Sequence, residues 1–422
     1  MGGFVLGAGV TGLGAGIASG FPVLEKADQA GGICTSYFLR QGQSQRLMDR
    51  PAEDDAYQFE NGGGHWIFGG DAAVLRFISS LSGVSRYERR ASVFFPDDDL
   101  FVPYPLQSHL ATLGADALSV MERETARPYE IRTTQDWLEA SFGETLCRKF
   151  FFPFHELYTA GLYREVAPQD AFKSPRDAGG KGYNNQFLYP QGGLSRLVGE
   201  MARRCDVRYG NGIVSIDRAT KTLRMADGAS IPYSTVLSTL PLQETLALAG
   251  ITVEHPTDPW TSVLVLNVAA VRGKKCPDDH WVYLPGTASG FHRVGFYSNV
   301  DEAFLPRAER GTKRVVSLYV ERAFTGGDKP DPRIAHDYAA AAVAELQRWG
   351  FIEDTLVVDP TWIDVAYTWA WPGSRWRAAA IEALEADGIV PVGRYARWTF
   401  QGIAESIRDG LVAGTTARLQ AG

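Results

Sequence analysis

The order of apolar and polar positions at the start of the chain predicts a strand, a tight turn, a helix and a second strand. Residues 4–6 are apolar, the turn carries Gly7, Gly9 and Gly12, and the second strand ends in Glu25. Gly7 permits the turn, Gly9 leaves room for a pyrophosphate, and Gly12 lets the helix pack closely on the strand. The helix start favours phosphates, and Glu25 offers an acceptor to ribose hydroxyls. The pattern therefore predicts a dinucleotide site.

An apolar leader or a membrane span is the alternative interpretation, because residues 4–24 carry no charge. Six glycines interrupt this stretch, and no basic segment precedes it. So much glycine makes a poor membrane-spanning helix, and a secretory leader normally begins with basic residues. A glycine pair, Gly31-Gly32, follows Glu25 closely and supports the dinucleotide site instead.

Later patterns predict the rest of the architecture. Apolar residues at helical spacing predict a helix over residues 71–92 and mostly helical structure over 108–165. Alternating positions predict strands between residues 260 and 322, which is typical of an antiparallel sheet. Strand patterns at 207–241 predict a return to the first domain, with Val214 near the adenine edge of the dinucleotide.

We therefore predict an α/β protein with a Rossmann-like dinucleotide-binding domain, a helical insertion and an antiparallel-sheet substrate domain. The predicted boundaries are residues 1–70, 186–245 and 385–422 for the discontinuous first domain, 71–185 for the mainly helical domain and 246–384 for the substrate domain. At the end of the chain a strand runs into Gly393. Gly402 and Ile403 then open a helix whose N-terminus would point at the cofactor.

The composition is that of an ordinary globular protein, with 45% hydrophobic and 22% charged residues and a mean hydropathy of −0.15. A formal net charge of −7 argues against nucleic acid as a partner, so local arginines must meet any anionic ligand. The four cysteines lack metal-ligand spacing and fit reduced thiols. We predict a cytoplasmic protein without a metal centre or a membrane partner.

Two short motifs offer groups that suit a flat ligand. Residues 62–64 are all glycine and precede His65, so the backbone can approach a ring and place an imidazole beside it. The alternative is a hydrogen-bonded core histidine. Residues 101–107 are extended because two prolines prevent a helix, and their Tyr104 and Gln107 suit stacking on and bonding to a base. The alternative there is a rigid connector.

These motifs resemble those of the UDP-galactopyranose mutases, most closely the eukaryotic-type enzymes, within the flavin amine-oxidase and protoporphyrinogen-oxidase superfamily. The resemblance covers nearly the whole chain. It is carried by Gly64-His65-Trp66-Ile67-Phe68, Val102-Pro103-Tyr104-Pro105-Leu106-Gln107, Asn184-Asn185, Trp281-Val282-Tyr283-Leu284-Pro285, Phe291-His292-Arg293-Val294 and Gly393-Arg394-Tyr395.

The resemblance implies FAD as the cofactor, in its reduced form for activity. The implied cofactor contacts are Gly7, Gly9, Gly12, Glu25, Gly32, Gly64, His65, Val214, Gly393, Gly402 and Ile403. The implied catalytic residues are His65, Arg293 and Arg394. The implied substrate contacts are Tyr104, Gln107, His155, Asn185, Tyr283, Arg293, Trp371, Arg394 and Phe400.

Within that set, Tyr104 and Gln107 would hold the uracil of the substrate. Arg293 and Arg394 would clamp its diphosphate, because a diphosphate needs planar, permanently charged partners. The alternative for each arginine is a surface salt bridge.

The sequence also departs from the family pattern. Trp371 and Phe400 stand where the family has tyrosines that donate hydroxyls to the diphosphate, and His155 stands where an asparagine is expected. The segment Gln401-Gly402-Ile403-Ala404 is shorter than its equivalent in the family. The pocket is therefore less polar, and the choice of sugar nucleotide and the reaction itself stay open.

The first function that follows is a mutase that interconverts the pyranose and furanose rings of a nucleotide sugar, with a UDP-sugar as substrate. In the family, N5 of the reduced flavin is the nucleophile at the anomeric carbon, so a Ser, Cys or His nucleophile is not needed. An external reductant such as NAD(P)H would reduce the flavin. The alternatives are a FAD-dependent oxidase or desaturase and an inactive protein that binds sugar nucleotides.

Overall fold

The computed structural model describes residues 2–126, 129–169 and 185–421. Its strands are β1 (Gly2–Leu6), β2 (Val23–Leu24), β3 (Ser36–Leu39), β4 (Tyr57–Glu60), β5 (Val84–Glu88), β6 (Ala91–Phe95), β7 (Leu100–Pro103), β8 (Gln186–Pro190), β9 (Val207–Arg208), β10 (Ile213–Asp217), β11 (Thr222–Met225), β12 (Ser230–Ser238), β13 (Trp260–Arg272), β14 (Trp281–Tyr283), β15 (Arg293–Phe296), β16 (Val315–Thr325), β17 (Ile352–Thr368) and β18 (Ile389–Pro391). Its α-helices are α1 (Val10–Ser19), α2 (Ala72–Leu81), α3 (Ala117–Thr125), α4 (Thr134–Phe142), α5 (Glu144–Leu146), α6 (Phe152–Tyr158), α7 (Leu194–Ala202), α8 (Leu242–Ala249), α9 (Tyr297–Val300), α10 (Pro332–Arg348), α11 (Trp376–Glu385) and α12 (Ile403–Ala421).

The first large sheet has the strand order β10-β11-β12-β1-β2-β9, and β18 also pairs with β12. β1 lies parallel to β2 and β12, while β2 is parallel to β9 and β12 to β18. Strands that are covered on both faces are apolar along their whole length. Phe4, Val5 and Leu6 of β1 are accordingly all buried. The turn that leaves this strand is the predicted dinucleotide-binding turn.

The second large sheet has the order β17-β13-β16-β15-β14-β6-β7 and is antiparallel except where β14 meets β6. Strand β16 alternates its side chains between the two faces. Leu318 and Val320 enter a core cluster that includes Leu346 of α10, whereas Tyr319 enters the large cluster shared with the first domain. The face that carries Tyr319 is therefore turned towards the dinucleotide-binding domain.

The predicted fold class is confirmed, because a mainly parallel sheet, helices and a separate antiparallel sheet are all present. The predicted helix over residues 71–92 is wrong in its second half: α2 ends at Leu81, and residues from Val84 onward pair with β8. The backbone resumes as a strand after Gly83 because this long-range pairing outweighs local spacing. The domain boundaries stay a prediction, although β6 and β7 from the range 71–185 join the second sheet.

A membrane-spanning helix is the alternative interpretation of residues 4–24. Within the described parts of the chain, each helix is either too short or too polar to cross a membrane. The apolar N-terminal stretch is instead divided between β1, α1 and β2.

Helix α12 crosses α1 so closely that backbone meets backbone. A Cβ added at Gly410 would lie 2.1 Å from the carbonyl oxygen of Thr11, and one added at Gly414 would lie 2.3 Å from that of Ala15. Glycine at these positions permits the approach, since any side chain would separate the helices. The crossing holds the last helix of the chain against the turn that follows its first strand.

Gly410→Ala is predicted to destabilise the protein by about 1–3 kcal/mol, because the added methyl group would overlap the Thr11 carbonyl. The matched control is Gly199→Ala in α7, where an added Cβ meets nothing within 4 Å. That control should be neutral or stabilising by up to about 1 kcal/mol. Urea unfolding of the two variants measures the difference, and equal stability would contradict the close crossing.

Candidate active site

The turn between β1 and α1 has the geometry that a dinucleotide requires. Gly7 has a φ of +89°, and a Cβ added at Gly12 would lie 1.8 Å from the Gly7 carbonyl oxygen. By contrast, a Cβ added at Gly9 would meet nothing within 4 Å, so the space in front of this residue is open. Gly9 also caps the N-terminus of α1. Free helix N–H groups and open space therefore coincide at one place, which suits a pyrophosphate.

The carboxylate of Glu25 reaches back to this turn. It accepts hydrogen bonds from the backbone N–H of Ala8 at 2.7 Å and of Ala27 at 2.9 Å. The Gly31 N–H bonds to the Ala8 carbonyl, and Gly32 follows with a φ of +58°. These contacts bring the acidic end of β2 and the glycine pair beside the turn, as the sequence predicts.

Val214 lies on β10 and is 56% exposed. Two residues before it, a Cβ added at Gly212 would lie 2.7 Å from the Cβ of Lys26, which follows Glu25. The strand start is therefore beside the end of β2, where an adenosine would extend. The role of Val214 stays a prediction.

The C-terminal part of the predicted cofactor site also meets the turn. A Cβ added at Gly393 would lie 2.6 Å from the Thr11 side chain, so this residue packs on the first turn of α1. Gly402 precedes α12, and Ile403, its first residue, is buried. The crossing of α1 and α12 thus aims the N-terminus of α12 into the same region.

The glycine loop before His65 packs on two side chains of β16. A Cβ added at Gly64 would lie 1.9 Å from the Tyr319 hydroxyl, and one added at Gly63 would lie 2.8 Å from Oε1 of Glu321. The loop needs glycine because it lies directly on the second sheet. The loop that ends at His65 therefore packs directly on the second sheet.

The imidazole of His65 is held neutral by its surroundings. Burial and the positive charge of Arg394 lower the pKa of His65 to about 4, against the smaller opposing effect of Glu321. Nδ1 lies 3.4 Å from the Gly63 carbonyl oxygen, a long contact. At pH 7 the ring can therefore hydrogen-bond a ligand but carries no charge.

Arg394 is a partly buried cation whose charge faces carbonyl groups and rings. Nη1 donates to the Gln401 carbonyl at 3.0 Å and Nη2 to the Ala366 carbonyl at 2.7 Å. Its guanidinium lies 4.7 Å from the centre of the Phe400 ring. Nε is buried without a hydrogen-bond partner. In the described part of the chain no carboxylate pairs with it, so the site favours an anionic ligand here.

Arg293 differs, because it is already paired. Nε donates to Oε2 of Glu321 at 3.1 Å, and Nη2 donates to Oε1 at 2.6 Å. The Glu321 side chain is 3% exposed and that of Arg293 19%. Burial acts to raise the pKa of Glu321, but Arg293 outweighs it and lowers the pKa to about 2. The surface salt bridge considered for Arg293 is thus replaced by a buried one.

Ring contacts link the surroundings of the two arginines into one group of side chains, which we call the aromatic cleft. Tyr158 lies 5.3 Å from the ring of His292 and 4.9 Å from that of Tyr367, measured between ring centres. Arg394 lies 5.4 Å from the centre of the Tyr367 ring. The cleft consists of Tyr104, Phe154, Tyr158, Tyr283, His292, Arg293, Tyr367, Trp369, Arg394 and Phe400.

The predicted uracil contacts lie at one end of this cleft. Tyr104 is half-buried, and its ring centre is 4.9 Å from that of Tyr283. The guanidinium of Arg89 lies 4.8 Å from the centre of the Tyr104 ring. Gln107 is half-buried in the short helical turn that follows. The backbone carbonyl of the exposed Asn185 accepts a hydrogen bond from the backbone N–H of Arg89, and this contact brings Asn185 near Tyr104. Asn184 lies outside the described residues.

The three residues that depart from the family pattern lie in different surroundings. Trp371 uses its indole N–H on the Thr257 carbonyl at 3.0 Å, so only its ring is left for a substrate. Phe400 stacks on Tyr367 at 6.5 Å, within the aromatic cleft. Nδ1 of His155 lies 2.7 Å from the Phe151 carbonyl oxygen. The His155 ring contacts Phe154 and Tyr158 of the aromatic cleft. The substrate roles of these three residues stay predictions.

The structure brings to the site several residues for which the sequence predicts no role there. Glu321, Tyr319 and His292 lie between the glycine loop and Arg293, and Tyr158 and Tyr367 line the cleft. One signal was available, because Tyr319 and Glu321 share a face of the alternating strand β16. An acid on an otherwise apolar strand face indicates a buried cation opposite it.

A surface hollow of about 570 Å³ lies elsewhere, beside the C-terminal end of α10. In its lining Lys275 lies 2.7 Å from Asp99, and Arg348 lies 3.3 Å from Glu345. None of the predicted site residues lines it. The aromatic cleft, which joins the predicted cofactor and substrate residues, is the candidate active site.

Comparison with known proteins identifies the family. The model of the flavin containing amine oxidoreductases matches residues 20–368, so the chain belongs to that family. Membership implies a flavin cofactor and an enzyme of the flavin oxidoreductase type. No curated protein sequence gives a significant match.

Solved structures share the fold at low sequence identity. A reduced UDP-galactopyranose mutase matches with a TM-score of 0.81 and 19% identity, over 100% of this chain and 96% of that one. A protein of Exiguobacterium sp. 255-15, provisionally assigned as a protoporphyrinogen oxidase, has a TM-score of 0.72 and 14% identity over 99% and 98% of the chains. A redesigned putrescine oxidase has a TM-score of 0.63 and 14% identity over 99% and 98%.

The residues of the site fit a flavin dinucleotide. The space before Gly9 is open, and the Glu25 carboxylate lies beside this turn, on the Ala8 N–H. Near the crossing of α1 and α12, the Tyr395 hydroxyl and Oε1 of Gln401 are buried without hydrogen-bond partners. Such orphaned polar atoms indicate a ligand that completes their hydrogen bonds.

Gly9→Ala is predicted to fold normally and to lose flavin. The added methyl group meets no protein atom, so the free energy of unfolding of the apoprotein should change by less than about 0.5 kcal/mol. The same methyl group occupies the space that a pyrophosphate needs. Flavin absorbance relative to protein absorbance measures the loss, with Gly199→Ala as the control. A full complement of flavin in Gly9→Ala would refute this placement of the pyrophosphate.

The His65 ring in the apoprotein is predicted to titrate near pH 4, as its lowered pKa implies. Because the folded-state pKa lies below the usual 6.5, the unfolded chain takes up this proton first as the pH falls. The free energy of unfolding therefore decreases through His65 as the pH falls from 6.5 to about 4, and it does not depend on His65 at higher pH. Proton NMR titration and urea unfolding of His65→Gln measure both effects, and a midpoint near 6.5 would exclude the buried neutral ring.

Proposed function

We propose that the protein is a FAD-dependent mutase that interconverts the pyranose and furanose forms of a nucleotide sugar, with a UDP-sugar as substrate. The observation that carries this proposal is Arg394, a cation with an unpartnered Nε and no carboxylate partner among the described residues, in a cleft that also contains Arg293. A cleft of this kind is suited to phosphate groups.

The nucleotide would lie along the aromatic cleft. Tyr104 and Tyr283 offer ring faces to the uracil, with Gln107 beside them for its amide edge. Arg293 lies directly opposite Tyr283 in the pairing of β14 and β15, so the diphosphate would follow the base without a bend. Arg394 would then meet the phosphate that leaves the sugar, and His65 would lie beside the sugar.

A bound reduced flavin would supply the nucleophile, at N5, for the anomeric carbon of the sugar. The residues of this chain bind, orient and neutralise. Arg394 would stabilise the negative charge on the departing diphosphate. The neutral His65 would accept a hydrogen bond from a sugar hydroxyl or donate one to it. Cys34, near Arg394, cannot replace the flavin as nucleophile, because burial raises the pKa of its thiol to about 12.

An oxidase or desaturase of the same family is the second candidate. It is favoured by the apolar rings at Phe400 and Trp369, and by the engaged indole N–H of Trp371. Such walls suit an amine or an apolar ring as well as they suit a sugar. The two candidates differ in redox balance, because a mutase returns its flavin unchanged and an oxidase transfers electrons to oxygen.

Dithionite-reduced protein is predicted to convert a UDP-sugar into its ring isomer without net oxidation or reduction. A panel of UDP-hexoses and UDP-pentoses, followed by product chromatography, measures the turnover. The oxidised protein serves as the control and should be inactive. Steady oxygen consumption with an amine or ring substrate, in the absence of isomerisation, would instead establish the oxidase.

Arg394→Ala is predicted to weaken UDP binding by at least about tenfold, because the diphosphate would lose its unpaired cation. The matched control is Arg397→Ala, three residues further along, whose exposed side chain makes a long 3.5 Å contact with the Pro391 carbonyl. Fluorescence titration of flavin-loaded protein with UDP compares the two variants. Equal affinity for both would remove Arg394 from the diphosphate site.

A further inference from the structure

The pairing register of the second sheet places Glu321 against Arg293. Strands β15 and β16 are antiparallel, and Arg293 is directly opposite Glu321 in their ladder. The backbone therefore fixes both side chains on the same face before any side-chain rotation is chosen. The two charges are therefore paired because the strand register places their residues opposite each other.

Glu321 also supports the loop that ends at His65. Its Oε1 lies 2.8 Å from the position of a Cβ at Gly63, so the loop backbone rests on the carboxylate. The neighbouring Tyr319 supports Gly64 in the same way. One carboxylate thus contacts the loop on the cofactor side and the arginine on the substrate side.

The third neighbour of Glu321 is neutral at pH 7. His292 is 1% exposed, its Nε2 lies 3.5 Å from Oε2 of Glu321, and burial lowers the pKa of its ring. The full charges at this point are consequently those of Arg293 and Glu321, which cancel. Within the guanidinium, Nε and Nη2 bond to Glu321, and Nη1 takes no part in the pair.

We propose that Glu321 sets the charge of the active site. It holds Arg293 in a neutral pair, so that the guanidinium can direct Nη1 to a ligand without presenting a full positive charge to it. Arg394 then supplies the net positive charge of the cleft, and the affinity for phosphorylated anions is held to a level that allows their release. Glu321 is a positioning residue that acts through Arg293, and the inference rests on the proposed function only in naming a phosphorylated ligand.

Glu321→Gln removes the negative charge and leaves the size of the side chain unchanged. Because Arg293 then carries an uncompensated charge, we expect inorganic pyrophosphate to bind at least about tenfold more tightly and the flavin midpoint potential to rise. Arg293→Met should do the opposite to both. Isothermal titration with pyrophosphate and spectroscopic redox titration of the flavin-loaded protein measure these shifts. Glu345→Gln is the matched control, since Glu345 is equally buried but bonds to residues 288 and 289.

Further variants separate a charge effect from a folding effect. Glu321→Asp retains the carboxylate and should keep both quantities close to those of the wild type. If Glu321→Gln does not fold, the double variant Arg293→Met/Glu321→Gln, which buries no unpaired charge, is compared with Arg293→Met. The double variant should have the higher midpoint potential, because the lone carboxylate has been removed.

Two outcomes overturn the proposal: a Glu321→Gln protein with wild-type pyrophosphate affinity and potential, or a Glu321→Asp protein that behaves like Glu321→Gln. Failure of the proposed mutase function has a different signature. In that case the wild-type protein would not isomerise any UDP-sugar, while the midpoint potential would still respond to the charge at residue 321.

Discussion

The contact between the first turn of α1 and the C-terminal part of the chain is the constraint on which the rest depends. Both Gly393 and Gly410 contact Thr11, and they can do so because glycine has no side chain that would overlap it. This double contact brings the N-terminus of α12 and the neighbouring Arg394 to the dinucleotide turn. The candidate cofactor site is therefore built from residues near the start and near the end of the given sequence, and the glycine loop beside it packs on the second sheet.

Charge in the resulting cleft is distributed unequally, and burial makes the difference matter. In a region of low dielectric constant, an unpaired cation attracts an anion far more strongly than it does in water. Among the residues that the structure describes, Arg394 meets carbonyls and rings, whereas Arg293 is matched by Glu321. Two arginines that look equivalent in the sequence thus have different surroundings, since Arg293 is neutralised by a buried carboxylate and Arg394 bonds to carbonyl oxygens.

The fold alone leaves the reaction open, because one architecture carries both mutases and oxidases among the structures it resembles. What distinguishes these chemistries is the lining of the cleft beside the flavin. In this protein the aromatic cleft includes Phe400 where the resembled mutases have a phenol donor. The arginines favour a ligand that carries phosphate, and the aromatic rings favour a less polar group beside that phosphate.

The sequence by itself determined the elements whose signals are local. The glycine turn with Glu25, the alternating strand β16 and the closing helix after Gly402 are all encoded by spacing along the chain, and the fold class followed from their order. Only the tertiary structure decided that residues 84–88 form a strand with β8 and that Glu321 opposes Arg293. Strand pairing and buried charge pairing join residues that are far apart in the chain, so their energies have no counterpart in local spacing.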